Sequence, residues 1–336
     1  MGKPIVVVGS YNVGLFIKGD RLPAKGETVL GDQFHEGPGG KGSNQAIAVA
    51  KLGADVRFIA CLGDDRYGDD ARQHYRELGM DQQFVFTAEG THSGISFVLI
   101  DRQGDNAISV ALGANLRLRP WHIDLARDVI DSAGVLACQL EGPLDTFAYA
   151  LRTARELGVV TILDPAPAAT LPEGVYQNTD IITPNETETE ILTGIRPETI
   201  RSAATAGRLL ISRGVRTAIV KLGERGCLCV SADSEQYFPA VPVETVDATG
   251  AGDAFAGGLM VGLAEGWPIA QAVELATCAG ALSVTKVGVV NALPSREDAD
   301  GLFAQACPEP ELVACNTCQI RCAQSECPHY SGRLDH

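Results

Sequence analysis

No apolar run in this chain approaches the roughly 20 residues that a membrane-spanning helix needs, so no membrane partner is expected. Positive charge is scarce: 27 Lys and Arg stand against 42 Asp and Glu, a formal net charge of -15. Nucleic-acid binding draws on clustered basic groups, and this balance argues against such a partner. The plain use of the excess acid is solubility. The N-terminus, MGKPIVVVGS, has one lysine and a very short apolar stretch, too little for a secretory signal. Val6 also stands where a myristoylation signal wants Ser or Thr. A cytoplasmic location is expected. Internal repeats and low-complexity linkers are absent too, and the composition changes only after about Ala306.

What the chain does have is 336 residues at 45% apolar content, enough for a large core. Short apolar runs alternate with helix-like stretches. IVVVGS (5–10), RFIACLG (57–63), VLACQLE (135–141), VVTILDP (159–165), DIITPNE (180–186) and TAIVKLG (217–223) read as strands, with helices such as 144–157 and 199–213 between them. That alternation predicts an α/β fold with a mostly parallel sheet and helices on both faces. Residues 11–36 and about 91–113 hold alternating segments without a helix, and are expected to pair as a small antiparallel sheet forming a flap.

Two glycine-rich stretches carry the chemistry. GPGGKGSN (37–44) resembles a phosphate loop but fails its spacing, since Gly42 follows Lys41 and Ser43 comes one place late. VDATGAGDAFAGG (246–258) leads small residues into a helix, and the converging N–H groups and helix dipole suit an anion. Phosphoryl transfer to an alcohol needs such donors and a carboxylate to accept the hydroxyl proton. Asp253 with Gly250, Ala251 and Gly252 fits those roles; a plain Asp helix cap is the other reading. In PNETETE (184–190), Glu186, Glu188 and Glu190 crowd the start of a helix, where acids complement the dipole and one of them, at the end of a strand, is well placed for magnesium.

The stretches GGKGSNQAIAVAKLGADVRFIACLGDDRYG (39–68) and DATGAGDAFAGG (247–258) resemble the two signatures of the ribokinase-like (PfkB) carbohydrate kinases. GSYN, QLE, DPAPA, ITPNETE, KLGERG and VTKVG follow in the family's order, and the likeness covers about residues 3–305. It implies a ribokinase-like fold over residues 1–306, with a small β-sheet lid, and an ATP-dependent kinase for the primary hydroxyl of a small sugar, a pentose first. The alternatives are a nucleoside or other carbohydrate kinase on the same fold, or a sugar- or redox-sensing binding protein. By position, it makes Asp253 the base and Gly250, Ala251 and Gly252 the anion hole. Asn12, the Gly14 position, Gly40, Lys41, Asn44, Glu141 and Asp253 would meet the sugar. Asn185 and Glu188 would serve the ATP phosphates and Mg2+, while Lys221 through Gly226 (Gly223 among them), Gly252 and Thr277 would line the nucleotide. Asp247, with backbone oxygens near Thr249, Ser283, Lys286 and Gly288, would hold K+. A homodimer is the family's habit.

Three departures stand out. The family pattern GSxNxD places a sugar-binding Asp where this chain has Gly14, which points to a different or bulkier pentose than ribose, or a related sugar. Ala292 replaces a cation-site serine, and Lys221 a small hydroxyl residue. Residues 307–336 extend beyond the likeness; Cys315, Cys318, Cys322 and Cys327, spaced C-x2-C-x3-C-x4-C, are candidates for structural zinc or an iron–sulfur cluster. Cys61, Cys138, Cys227, Cys229 and Cys278 lie in apolar segments and read as small buried hydrophobes.

Overall fold

The computed structural model describes residues 2–306 and, beyond them, the backbone of the paired Val313–Ala314 and Arg321–Cys322. Cys315, Cys318 and Cys327, and the side chain of Cys322, lie outside the described residues.

The strands in chain order are β1 (Ile5–Val8), β2 (Asn12–Gly19), β3 (Gly31–Gly39), β4 (Val56–Gly63), β5 (Val85–Ala88), β6 (Gly94–Ile100), β7 (Asn106–Ala111) and β8 (Val135–Cys138). Then follow β9 (Val160–Leu163), β10 (Ile181–Ile182), β11 (Thr217–Lys221), β12 (Cys227–Ser231) and β13 (Glu235–Phe238). Nine of them form one sheet in the order β13-β12-β11-β10-β9-β8-β1-β4-β5. All neighbours from β11 to β5 are parallel; only β12 and β13 join antiparallel, through tight connections.

The helices are α1 (Lys41–Lys51), α2 (Arg66–Glu77), α3 (Pro120–Leu125), α4 (Arg127–Ser132), α5 (Leu144–Glu156), α6 (Glu173–Gln177), α7 (Glu186–Thr193), α8 (Ile200–Ser212), α9 (Ala251–Ala264), α10 (Ile269–Ser283) and α11 (Arg296–Ala306). They cover both faces. In β1, Ile5 and Val7 join a core with Ile47 and Val49 of α1, Leu259 and Met260 of α9 and Leu275 of α10. Val6 and Val8 join the opposite core with Ile123 of α3, Phe147 and Leu151 of α5 and Leu210 of α8. A strand buried on both faces has no polar face to show, which is why it reads as an unbroken apolar run. The five cysteines outside the tail are buried, as expected. Burial pushes the Cys227 thiol up to about 12 and the Cys229 thiol to about 11, so they act as hydrophobes.

A separate four-stranded sheet runs β3-β2-β6-β7. The expected segments build it, with one correction: β2 and β6 pair parallel, not antiparallel. The chain between them passes through α1, β4, α2 and β5, and a crossover of that length returns a strand in the same direction.

Candidate active site

In the large sheet, β1 connects to β4 on one side, whereas β8 and its successors extend the other way. Ligands of open α/β sheets gather at the carboxyl ends of strands beside such a reversal. Ser10 and Asn12 follow β1 there, and Glu141 follows β8. Glu141 Oε2 accepts from Ser10 Oγ at 2.5 Å, from Asn12 Nδ2 at 3.2 Å and from the backbone N–H of Lys41 at 2.8 Å. Gly40 makes this convergence possible. Its φ is +88°, and a Cβ there would stand 2.6 Å from the Asn12 nitrogen, so the start of α1 lies directly on the turn after β1.

One turn into α1, Asn44 Nδ2 donates to Asp253 Oδ2 at 2.9 Å and Gln45 Nε2 to Asp253 Oδ1 at 3.2 Å. Asp253 is 5% exposed and sits in the first turn of α9. It does not cap that helix. The cap is Gly250, at φ +82° and without a side chain, so the first-turn N–H groups of α9 meet no side-chain acceptor. Burial, reinforced by the charge of Asp164, pushes the Asp253 carboxyl up to about 6 against the pull of Lys41, Asn44 and Gln45. Burial opposes the charge on Lys41 as well. The carboxylates of Asp253, Asp164, Glu141 and Glu188 outweigh it and hold the ammonium firmly protonated.

Asp164, Thr183 and Lys221 stand at the ends of β9, β10 and β11, three adjacent strands. Asp164 accepts from Lys221 Nζ at 2.9 Å, from Gln45 Nε2 at 2.9 Å and from Thr183 Oγ1 at 3.3 Å. The Lys221 side chain is 15% exposed and that of Asp164 is 3% exposed. A Cβ on Gly252 would lie 3.4 Å from Lys221 Nζ, which places the ammonium beside the head of α9. Lys221 thus points neither to bulk water nor away from the loop.

Asn185 caps α7, and Glu188 closes a capping box with it: Glu188 N–H donates to Asn185 Oδ1, and the Asn185 N–H to Glu188 Oε2, each at 2.8 Å. Burial, then Asp164, raises the Glu188 pKa against the pull of Lys221. The turn holding Gly223 and Gly226 meets the head of α7 through the Arg225–Glu186 ion pair. Thr277 lies in α10 and returns its hydroxyl to Val273 O at 2.9 Å. Asp247 joins two loops, accepting from the N–H of Thr249 at 2.9 Å and of Gly288 at 3.0 Å. Those bonds hold its carboxyl below the usual range although burial opposes them. Ser283 Oγ donates to Gly280 O at 2.8 Å, so its backbone is what remains to face a cation. Lys286 is exposed.

Sequence reasoning passed over Ser10, Gln45, Gln139, Asp164 and Thr183. Gln45 bridges Asp253 and Asp164, and Gln139 Nε2 fixes Gln45 by donating to its Oε1 at 2.7 Å. Their signal was position: each lies within a fragment quoted for another residue, or one residue beyond it.

The family model described as pfkB family carbohydrate kinase matches residues 3–296. The chain belongs to the PfkB family of carbohydrate kinases. Ribokinase of Haemophilus influenzae is 34% identical over 298 residues, 89% of this chain and 97% of that protein. Deoxyribokinase of Salmonella typhi is 35% identical over 294 residues, 87% of this chain and 96% of that one. The structure of Arabidopsis thaliana ribokinase complexed with ribose and ATP matches with a TM-score of 0.84 at 29% identity, covering 90% of this chain and 99% of that one. The PfkB chain described here therefore has a ribokinase-like fold, and it is a kinase whose acceptor is a sugar hydroxyl.

Proposed function

We propose that this kinase transfers the terminal phosphoryl group of ATP to the primary hydroxyl of a pentose, with Asp253 as general base. The observation that carries the reading is Asp253 itself. It is a buried carboxylate at the uncapped head of a helix, with a proton affinity near neutrality and a set of sugar-type hydrogen-bonding groups beside it. Relatives named for ribose and deoxyribose support a pentose.

The acceptor hydroxyl lies against Asp253, oriented by Asn12, Lys41, Asn44 and Glu141. As the new O–P bond forms, Asp253 takes the hydroxyl proton. The N–H groups of Gly252 and Asp253, with the positive end of the α9 dipole, hold the oxygens of the transferring group. Lys221 adds a cation beside them, and Gly223, Gly226 and Thr277 border the nucleotide. Glu188 suits Mg2+ because burial and Asp164 already work against its charge, which a cation would relieve. When bound with ATP, Mg2+ supplies neutralisation of phosphate charge. Asp247 with the carbonyls of its two loops suits K+, whose field would settle the head of α9. Two copies joined through the small sheet, in the cytoplasm, complete the reading; light scattering tests the first point.

The test is ATP consumption against pentoses, pentuloses, hexoses and polyols with Mg2+ and K+ present. Turnover strongest on a pentose is expected. Turnover confined to hexoses or polyols would overturn it.

A further inference from the structure

Of the sugar-facing positions named so far, only Asn12 and Gly14 belong to the small sheet; Asn12 opens it. Side chains alternate along a strand, and cross-strand partners share a face. Asn12 reaches Glu141, which fixes one face of the small sheet as turned to the cleft. The next residues of β2 on that face are Gly14 and Phe16, and their partners on β3 are Gly37 and His35.

These glycines are covered. A Cβ at Gly14 would stand 2.5 Å and 2.8 Å from Cε2 and Cζ of Phe16, and one at Gly37 would stand 3.4 Å from Nε2 of His35. The Phe16 ring folds back over the glycine two residues before it, and the His35 ring lies against the glycine two residues after it. The ring centroids lie 5.8 Å apart with planes tilted by 33°. Phe16, half-buried, therefore occupies the space that a side chain at position 14 would fill. On β6 the same face continues with Ser96, opposite Gly14, and buried Val98. Beyond Asn12, then, the wall beside the sugar groups carries no charged acceptor on these strands. As far as the Phe16–His35 pair its polar groups are the Ser96 hydroxyl and the His35 ring, and a phenyl ring covers the spot next to Asn12.

We propose that Phe16, lying over Gly14, is the specificity-determining wall of the sugar site and selects a deoxypentose, a pentose with hydrogen where the hydroxyl turned toward the small sheet would be. A hydroxyl pressed onto that ring loses its water and gains no partner, whereas a C–H edge gains contact with the ring. This rests on the sugar-kinase reading above.

The test compares kcat/KM for D-ribose, 2-deoxy-D-ribose and 3-deoxy-D-ribose in the full chain with ATP. One deoxypentose should exceed ribose by about 5- to 150-fold, the range that one buried unpaired polar group corresponds to. Gly14→Asp and Phe16→Ala should each move that ratio toward ribose by at least about fivefold. The ratio is blind to partial unfolding, because both sugars meet the same fraction of active enzyme. If Gly14→Asp does not fold, Phe16→Ala decides alone. Preference for ribose in the wild type, or a ratio unmoved by Phe16→Ala, overturns the wall and leaves the kinase reading standing. Absence of ATP consumption with all three sugars overturns both.

Discussion

Replacing Asp253 by Asn should abolish most activity and at the same time stabilise the protein. The carboxyl is raised from the ordinary 3.8 to about 6, with burial the largest cause. The folded protein thus binds this proton more tightly than the unfolded chain does. Its contribution is most favourable below about pH 4 and declines as pH rises through 6. Once Asp253 is ionised, the loss reaches about 3 kcal/mol, at about 1.4 kcal/mol per pH unit. Protonated Asp and Asn are near isosteres, so the variant is spared that loss. Asn44 can turn its amide to face the new NH2 group, because its Oδ1 is buried without a partner in the wild type and the exchange strands no further atom. Urea unfolding of the two proteins at pH 5 and pH 8 reads the effect. The stability difference should widen in favour of Asn by about 1.4 kcal/mol between those pH values, as the two proton affinities require. Turnover should fall by about 10²- to 10⁴-fold, the scale of a positioned general base. A difference that stays constant with pH refutes the buried-carboxylate argument, and turnover within tenfold of the wild type refutes the role as base.

For the same reason, kcat/KM of the wild type should fall about tenfold per pH unit below about pH 6 and level off above it; a limb near pH 4 would mean another group is titrating. Lys221→Met leaves Asp164 as a buried charge without its counter-ion and should cost about 3–5 kcal/mol. The double variant with Asp164→Asn should recover most of it in urea unfolding, and strict additivity would show that the pair is not coupled. Gly40→Ala combines a left-handed φ with contact against Asn12, and should raise the KM for sugar and lower Tm; an unchanged KM would separate the loop from the site. Asp247→Ala removes acceptors from Thr249 and Gly288 and should abolish any stimulation of kcat by K+, measured against Na+ and choline salts; equal stimulation in the variant would remove Asp247 from the cation site.

Six strands of the large sheet, β1, β4, β8, β9, β10 and β11, were legible because each is a short apolar run closed by a turn, and burial on both faces demands that composition. β5, β12 and β13 were not legible as strands, and the edge strands β5 and β13 are partly exposed. The pairing of β2 with β6 was not, because alternation reveals which face of a strand is buried but not the direction of its neighbour. The site shows the same division. Asp253, Lys41 and Asn44 could be read because glycines mark the two places where the backbone must approach closely. The link between them could not. Gln45 is separated from Asp164 by 119 residues and from Asp253 by 208, and nothing in local spacing announces that one amide will serve both carboxylates.

That link is also what makes the charges tenable. Asp164, Asp253, Glu141 and Glu188 outnumber Lys41 and Lys221, so the ligand-free site holds more negative than positive charge before a polyanionic nucleotide arrives. Burial works against the charge on these carboxyls, and it has already raised Asp253 to about 6. Lys221 meets the charge of Asp164 by direct contact. In the proposed mechanism an incoming phosphate beside Gly252 would compete with Asp164 for that ammonium. The charge then left on Asp164 would raise the proton affinity of Asp253 at the moment a hydroxyl proton must be taken. Methionine at position 221 removes the competition, so it should shift the acid limb of kcat for the nucleotide complex less, relative to that of kcat/KM for the free enzyme, than the wild-type lysine does. Identical shifts in both proteins would show that Lys221 neutralises Asp164 and nothing more.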